Sequence, residues 1–391
     1  MPAVCYLDLD PAKPEYTPHG QISLSIIKSL NLGPNFMHPI TKTPTSESMA
    51  NETIRAHAMP TNLANYGQYY RACAEDLFLA YKSLQAHDPF MPLVINTSGS
   101  VYTSDFDLLT ALISRFRPHH AVHLGDVRTI DTEYATRLQS LQAVVSQYRG
   151  TFHEISAQLP APLPQRSDVD LRAMQMMSYF HLAKAKENNS KQNTWSQIPM
   201  SSLVPWEFCY EETEEWSQDF VGFAMYSEPV EPASLLQSLN GSIVQIVEST
   251  SSAIPTPYVD LSRTNKYRLP YFPSSERTGM VEPLDPRTSK VIFTALVRGF
   301  DLDRRVVQLL VPKAHESSLY HLSPERTVFV GGCCDPPEWA YVEDAYIAGN
   351  SAERKRSTFV DIKNTPWVEE RTRMDDMGYL NTVRRVRKFQ T

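Results

Sequence analysis

The sequence predicts an α/β protein with a mainly parallel sheet in its first half and a β-rich second half. Three observations carry this. Apolar strand-like runs alternate with helix-like segments from residue 3 to about residue 186. The runs "AVCYLDLD" and "PLVINTSGS" end in polar residues, as strands do where they meet a ligand-binding edge. After a polar stretch at 187–202 the texture changes to short β-branched runs.

The elements follow in order. "AVCYLDLD" starts β-branched and aromatic and ends in acids, which fits a buried parallel strand meeting a loop. "GQISLSII" alternates well enough for a second strand. Residues 41–65 are polar and aperiodic and read as a loop or insertion. "YYRACAEDLFLAYKSL" places Ala72, Leu77, Leu79, Ala80 and Tyr81 at mainly helical spacing. "MPLVINTSGS" is a short strand breaking into a polar turn. "DFDLLTALISRF" is a helix with an acidic first turn, stopped by Pro118, and "HHAVHLGD" is a further strand. Residues 170–186 form a helix whose Met and Tyr stripe belongs to the core. The strands "GSIVQIVES", "KVIFTALVRGFD", "RVVQLLVP" and "TVFVGGC" make up a second domain. The expected division is therefore 1–190 and 191–391.

Composition sets broad limits. With 391 residues, 42% of them hydrophobic, the chain can build two or three cores. Twenty-nine prolines against 14 glycines point to long Pro-punctuated connections. No apolar run approaches the roughly 18–20 residues of a membrane span, and no secretory signal is visible. Five scattered cysteines argue against a disulfide framework or a Cys-x-x-Cys zinc site, and point to a reducing, intracellular compartment. The net charge of −7 argues against a generally basic nucleic-acid binder. Residues 351–391 nevertheless hold ten Lys or Arg against six Asp or Glu, and the end reads "RRVRKFQT", a tail able to meet phosphate or an acidic partner.

Asp8 and Asp10 alternate on one strand and face one side. Such a pair can hold Mg²⁺ through water or take a proton from an attacking hydroxyl. It is equally common as a structural strand end. His119, His120 and His123 lie close together but fit exposed or satisfied histidines better than a metal site. Neither G-x-x-x-x-G-K-[ST] nor G-x-G-x-x-G occurs in the sequence.

"YLDLDPAKPEYTPHGQISL" resembles the aspartate-bearing Walker B region of the fungal nucleolar polynucleotide 5′-hydroxyl kinases, which belong with the RNA kinase of the mRNA cleavage and polyadenylation factor. The resemblance continues in order through "GPNFMHP", "YYRACAEDLFLAY", "PLVINTSGSV", "RPHHAVHL", "LRAMQMMSYFH", "PWE", "NGSIVQIV", "ALVRGFD", "WAYVEDAY" and "GYLNTVRRVRKFQT". It implies a P-loop-type α/β domain lacking its first strand, P-loop and helix, as in an N-terminally truncated kinase. It implies transfer of the γ-phosphoryl group of ATP, with Mg²⁺, to an RNA 5′-hydroxyl during ribosomal RNA spacer processing. It further implies a nuclear, nucleolar location, an endoribonuclease partner docking on the C-terminal half, and no membrane.

Residue by residue, Asp10 matches the acid that activates the 5′-hydroxyl and Asp8 its neighbour near the metal. Thr97 and Gly99 match the T-x-G-W clasp on substrate phosphate, and Arg172 is similar in position to an arginine of the lid over the phosphates. Four positions depart from the pattern. Ala12 and Lys13 stand for Gly and Gln, Ser100 for the clasp tryptophan, and Met176 for a second lid arginine. The alternative to a kinase is a non-catalytic paralogue or fragment that acts as a scaffold for the processing nuclease.

Overall fold

The computed structural model describes residues 3–40, 51–125, 132–157, 166–183, 194–214, 216–226, 229–250 and 261–343. Residues 1–197 and 204–336 form one compact unit, and residues 198–203 with 337 onward a second. The expected division at 190/191 falls outside the described residues. The sheets on either side of it belong to the first unit. In the second unit, the backbone N–H of Met200 donates to Glu343 Oε2 (2.8 Å). The basic end of the chain lies outside the described residues.

The first half begins with β1 (Val4–Leu9), β2 (Gln21–Ile27) and β3 (Glu52–Ala58). Helix α1 (Gly67–His87) leads to β4 (Leu93–Thr97), followed by α2 (Gly99–Ser104) and α3 (Phe106–Phe116). Then come β5 (His120–Gly125), α4 (Thr132–Gln147), β6 (Thr151–Ser156) and α5 (Asp168–His181).

The main sheet here runs β3-β2-β1-β4 and is mixed. β1 and β4 are parallel, whereas β1–β2 and β2–β3 are antiparallel. The connections explain this. α1 provides the crossover that a parallel pair requires, while a loop alone returns β1 to β2. β5 and β6 form a separate parallel pair.

Two readings of the sequence change. Residues 52–58, expected within a loop, are β3: their polar side chains obscure the strand, because they are paired inside the protein rather than solvated. Ser25 and Thr53 hydroxyls lie 3.3 Å apart, and His57 bonds Asp76 of α1. α1 is a helix as expected, but it buries Tyr70, Cys73, Ala74, Asp76, Leu77 and Tyr81, leaving Leu79 half exposed.

Local signals account for the helix ends. Asp105 caps α3 by accepting from Leu108 N–H (3.1 Å), and α3 ends at Arg117 in a left-handed conformation just before Pro118. α5 opens with a reciprocal Ser167–Asp170 capping box and buries Gln175, Met176, Tyr179 and Phe180.

The second half is dominated by one larger sheet. Its strands follow two short ones, β7 (Leu182–Ala183) and β8 (Thr194–Trp195), which pair with each other. They are β9 (Trp206–Cys209), β10 (Gly222–Met225), β11 (Ile243–Ser249), β12 (Ser262–Arg263), β13 (Pro270–Tyr271), β14 (Ser289–Asp301), β15 (Val306–Leu310) and β16 (Thr327–Gly331). The order is β12-β13-β10-β16-β11-β14-β15-β9. β10, β11 and β16 are buried almost throughout, which is why they read as continuous apolar runs. One apolar cluster joins Leu7, Leu9 and Leu77 to Val247, Val291 and Val330, so the two sheets share a core.

Candidate phosphoryl-acceptor site

The site is built on the C-terminal ends of β1 and β4. Their parallel register sets Asp8 beside Asn96 and Leu9 beside Thr97. Asp8 is 1% exposed. Its Oδ1 accepts from Asn96 Nδ2 (2.9 Å) and from Asp10 N–H (3.3 Å), and its Oδ2 accepts from Glu15 N–H (2.7 Å). Three donors favour the carboxylate, yet burial outweighs them and pushes its pKa up to about 7. Asp10, one residue past β1 and half-buried, accepts through Oδ1 from Ala12 N–H (3.0 Å) and Lys13 N–H (3.3 Å). Its Oδ2 accepts no hydrogen bond from the described residues.

The loop between β1 and β2 is held by side chains from distant elements. Pro11, Pro14 and Pro18 restrict its backbone and lack N–H groups. Gly20 N–H donates to Pro11 carbonyl (2.8 Å) and closes it. Gln175 of α5 donates to the carbonyls of Pro14 (2.7 Å) and Thr17 (2.9 Å), and Gln245 of β11 donates to that of Gly20 (2.6 Å). Gly20 has φ +82°, and a Cβ there would lie 2.7 Å from the Cys333 carbonyl oxygen, so only glycine fits. Lys13 reaches Asp168 at the start of α5 (2.8 Å), both side chains being exposed.

The remaining expected residues fall as follows. Thr97 is exposed at the end of β4, and Gly99 is the first residue of α2, also exposed. Ser98 caps that helix through Ser100 N–H, and the two hydroxyls are 2.8 Å apart. Ser100 thus presents a small polar surface where the family pattern has an aromatic one. Arg172 projects from α5, and its Nε donates to Asp335 Oδ2 (2.6 Å). Met176 is fully buried, so an arginine at that position would put a charge into the core. The structure brings Asp8, Asp10, Thr97 and Gly99 to one sheet edge. It ties Arg172 to the same loop only indirectly, through α5 and Asp335.

The resemblance implies two groups at this edge, Mg²⁺ and ATP. Among the described residues no three His, Cys, Asp or Glu side chains are placed to hold a metal ion. Asp8 is buried and its oxygens already accept three N–H groups, so the expected role as Mg²⁺ ligand falls to Asp10 Oδ2 alone. For ATP, the glycine-rich loop and its lysine do not occur in this sequence. The residues present thus do not make a complete site for either group.

The histidines of β5 are exposed or satisfied, as expected. His123 Nε2 pairs with Tyr134 Oη (2.9 Å), and His120 Nδ1 with His153 Nε2 (3.3 Å). Sequence reasoning missed Asn96, Gln175, His19 and Asp335. Asn96 was findable, because it lies one residue before Thr97 on a strand taken to be parallel to β1. The others act across long sequence separations that leave no local pattern.

A carboxylate-bearing strand, a helical crossover and a parallel strand ending in a Thr-Ser-Gly-Ser turn form, in this P-loop-type α/β fold, the C-terminal strand edge at which such sheets bind ligands. Residues 2–182 match the family model described as mRNA cleavage and polyadenylation factor CLP1 P-loop. The chain is 31% identical to polynucleotide 5′-hydroxyl-kinase GRC3 of Gibberella zeae over 368 residues, covering 90% of this chain and 47% of that protein. It is 28% identical to the kinase of the same name from Aspergillus oryzae over 405 residues, covering 92% and 47%. A solved structure of Clp1p with Pcf11p superposes with a TM-score of 0.52 at 15% identity, covering 83% of this chain and 66% of Clp1p, which supports the fold. The chain is thus similar over about nine tenths of its length to the fungal polynucleotide 5′-hydroxyl-kinases, and in residues 2–182 to the CLP1 P-loop family model. It spans about half the length of these curated relatives.

Proposed function

We propose that this chain provides the acceptor side of a polynucleotide 5′-hydroxyl kinase, acting on RNA in ribosomal RNA spacer processing. The observation that carries the reading is the paired placement of Asp8 and Asp10 at the C-terminal end of β1, beside the polar end of β4. Asp8 organises the loop: its carboxyl group receives the N–H groups of Asp10 and Glu15 and the Asn96 amide. Asp10 keeps Oδ2 available to accept the proton of an RNA 5′-hydroxyl. General-base assistance of this kind contributes about 10²–10⁴-fold. ATP and Mg²⁺ are the donor and counter-charge that the family's chemistry uses. The glycine-rich loop and lysine that would cradle them do not occur in this sequence. A nucleolar location and an endoribonuclease partner follow from the same resemblance.

Transfer of labelled γ-phosphate from ATP to a 5′-hydroxyl RNA tests the reading. The 391-residue chain alone is expected to show none. Fusing a P-loop-bearing strand–loop–helix segment ahead of Met1 should give transfer that Asp10→Asn lowers by at least about 100-fold. A folded, ATP-binding fusion that labels no RNA overturns the proposal, as does an undiminished Asp10→Asn variant.

A second reading, a scaffold for the nuclease, draws on one specific feature. Asp10 Oδ1 is committed to the backbone of Ala12 and Lys13, two of the four positions that depart from the family pattern. Under it the fusion is inactive while the nuclease subunit still co-purifies with the chain.

A further inference from the structure

Arg172 is oriented by a residue from the far half of the sequence. Its Nε donates to Asp335 Oδ2 at 2.6 Å, with the arginine side chain 16% exposed and the aspartate 28%. A guanidinium is a planar fork of five N–H groups, and the side on which a carboxylate meets it decides what remains to bind. Here the carboxylate meets the Nε side. The two terminal nitrogens make no hydrogen bond or ion pair with the described residues.

Asp335 is itself fixed. Its backbone N–H donates to His19 Nε2 (3.0 Å), and His19 is almost fully buried. The Cys334 thiol donates to the His19 carbonyl (3.3 Å), and Gly20 packs directly on the Cys333 carbonyl. The segment after β16 is thus fastened to the same loop that follows Asp8 and Asp10.

We infer that Asp335 is a positioning residue: by holding Arg172 through Nε, it presents the Nη1/Nη2 pair to the phosphate that the RNA 5′ end carries once transfer has taken place. This rests on the kinase reading of the site. A carboxylate that merely blocked the arginine would be expected on the two terminal nitrogens, where it would compete with phosphate oxygens. The observed bond leaves them available.

The test uses the full 391-residue chain and one fluorescent RNA oligonucleotide in two forms, with a 5′-phosphate and with a 5′-hydroxyl. Anisotropy titration gives the ratio of the two affinities, and calorimetric melting separates binding from stability. The unsubstituted chain should favour the 5′-phosphate form. Arg172→Ala should bring the ratio close to one, and Asp335→Ala should lower it by about tenfold or to unity. Asp335→Asn, whose amide oxygen can still accept from Nε, should retain most of the preference. A purely structural role would lower the melting temperature in Asp335→Ala and leave the ratio alone, which overturns the inference. A higher ratio in Asp335→Ala overturns it too, by showing a blocker. Should the unsubstituted chain and Arg172→Ala be equally indifferent to the 5′-phosphate, the inference fails, while the kinase reading stands or falls by the transfer assay.

Discussion

The interiors beside the two sheets differ in emphasis: both bury polar groups, Gln245, Thr294 and Thr327 in the larger one, which also packs a phenylalanine cluster. Within and beside the four-stranded sheet, Asp8, His19, Gln21, Ser23, Ser25, His57, Asp76 and Gln175 are buried. Against the larger sheet lie Phe220, Phe223, Phe293 and Phe329, with Leu, Val and Ile filling between them. Polar groups in the first region bond across elements. Asp76 of α1 takes both His57 (2.9 Å) and Arg55 (3.0 Å) of β3, and Gln175 of α5 holds the loop after β1. Such groups specify geometry, since each is costly unless its one partner is in place. The aromatic region contributes stability through area and close packing. The site sits where geometry is specified.

The largest expected effect breaks the aromatic side of this contrast. Phe329 is fully buried and stacks on Phe220 with centroids 3.9 Å apart and planes within 3°. Phe329→Ala should cost about 3–5 kcal/mol, from lost transfer energy and a residual cavity. Urea unfolding followed by fluorescence measures it. A loss below about 1 kcal/mol would show that this region collapses around a void and is less closely packed than its geometry indicates.

The contrast also explains what was legible in the sequence. β11, β14, β15 and β16 are written as apolar runs because their burial is apolar. β3 is not, because Arg55, His57 and Thr53 find partners inside the protein that no local pattern announces. The same holds within the site. Asp8 and Asp10 stand out through their spacing of two, whereas Asp335 meets Arg172 across 163 positions. The parallel β1–β4 pairing was readable from strand–helix alternation. The antiparallel course of β2 and β3 was not, since a Pro-rich loop fixes no strand direction.

A smaller effect, set by pH, separates two buried groups of the polar region. Burial holds His19 down to about 4, so between pH 4 and its ordinary 6.5 the unfolded chain binds more protons and stability rises with pH. Asp8 is pushed up to about 7, so from its ordinary 3.8 the folded chain binds more protons and stability falls as pH rises toward 7. The two slopes oppose each other. His57, also depressed by burial, adds to the rising one. Asp8→Asn should therefore gain stability from pH 4 to 7 relative to the parent, and His19→Gln should lose it, each by on the order of 3 kcal/mol. Unfolding free energies at pH 4 and 7 decide this. Slopes of the same sign in the two variants would show that one of these groups is not shifted as its burial implies.

The smallest effect concerns Lys13, one of the positions that departs from the family pattern. Its ammonium reaches Asp168 of α5 at 2.8 Å, which on distance alone would make it the tie between the loop and the helix. Both side chains are 57% exposed, and an ion pair in that setting is worth about 0–1 kcal/mol and is screened by salt. The same two segments are joined inside the protein by Gln175, whose buried amide serves the carbonyls of both Pro14 and Thr17, the former also accepting from Asn35 Nδ2 (3.2 Å). Lys13→Gln should accordingly leave unfolding free energy within about 0.5 kcal/mol of the parent, with the difference vanishing in high salt. A loss above about 1 kcal/mol that persists in high salt would mean that the surface charge, and not the buried amide, sets the position of the loop carrying Asp10.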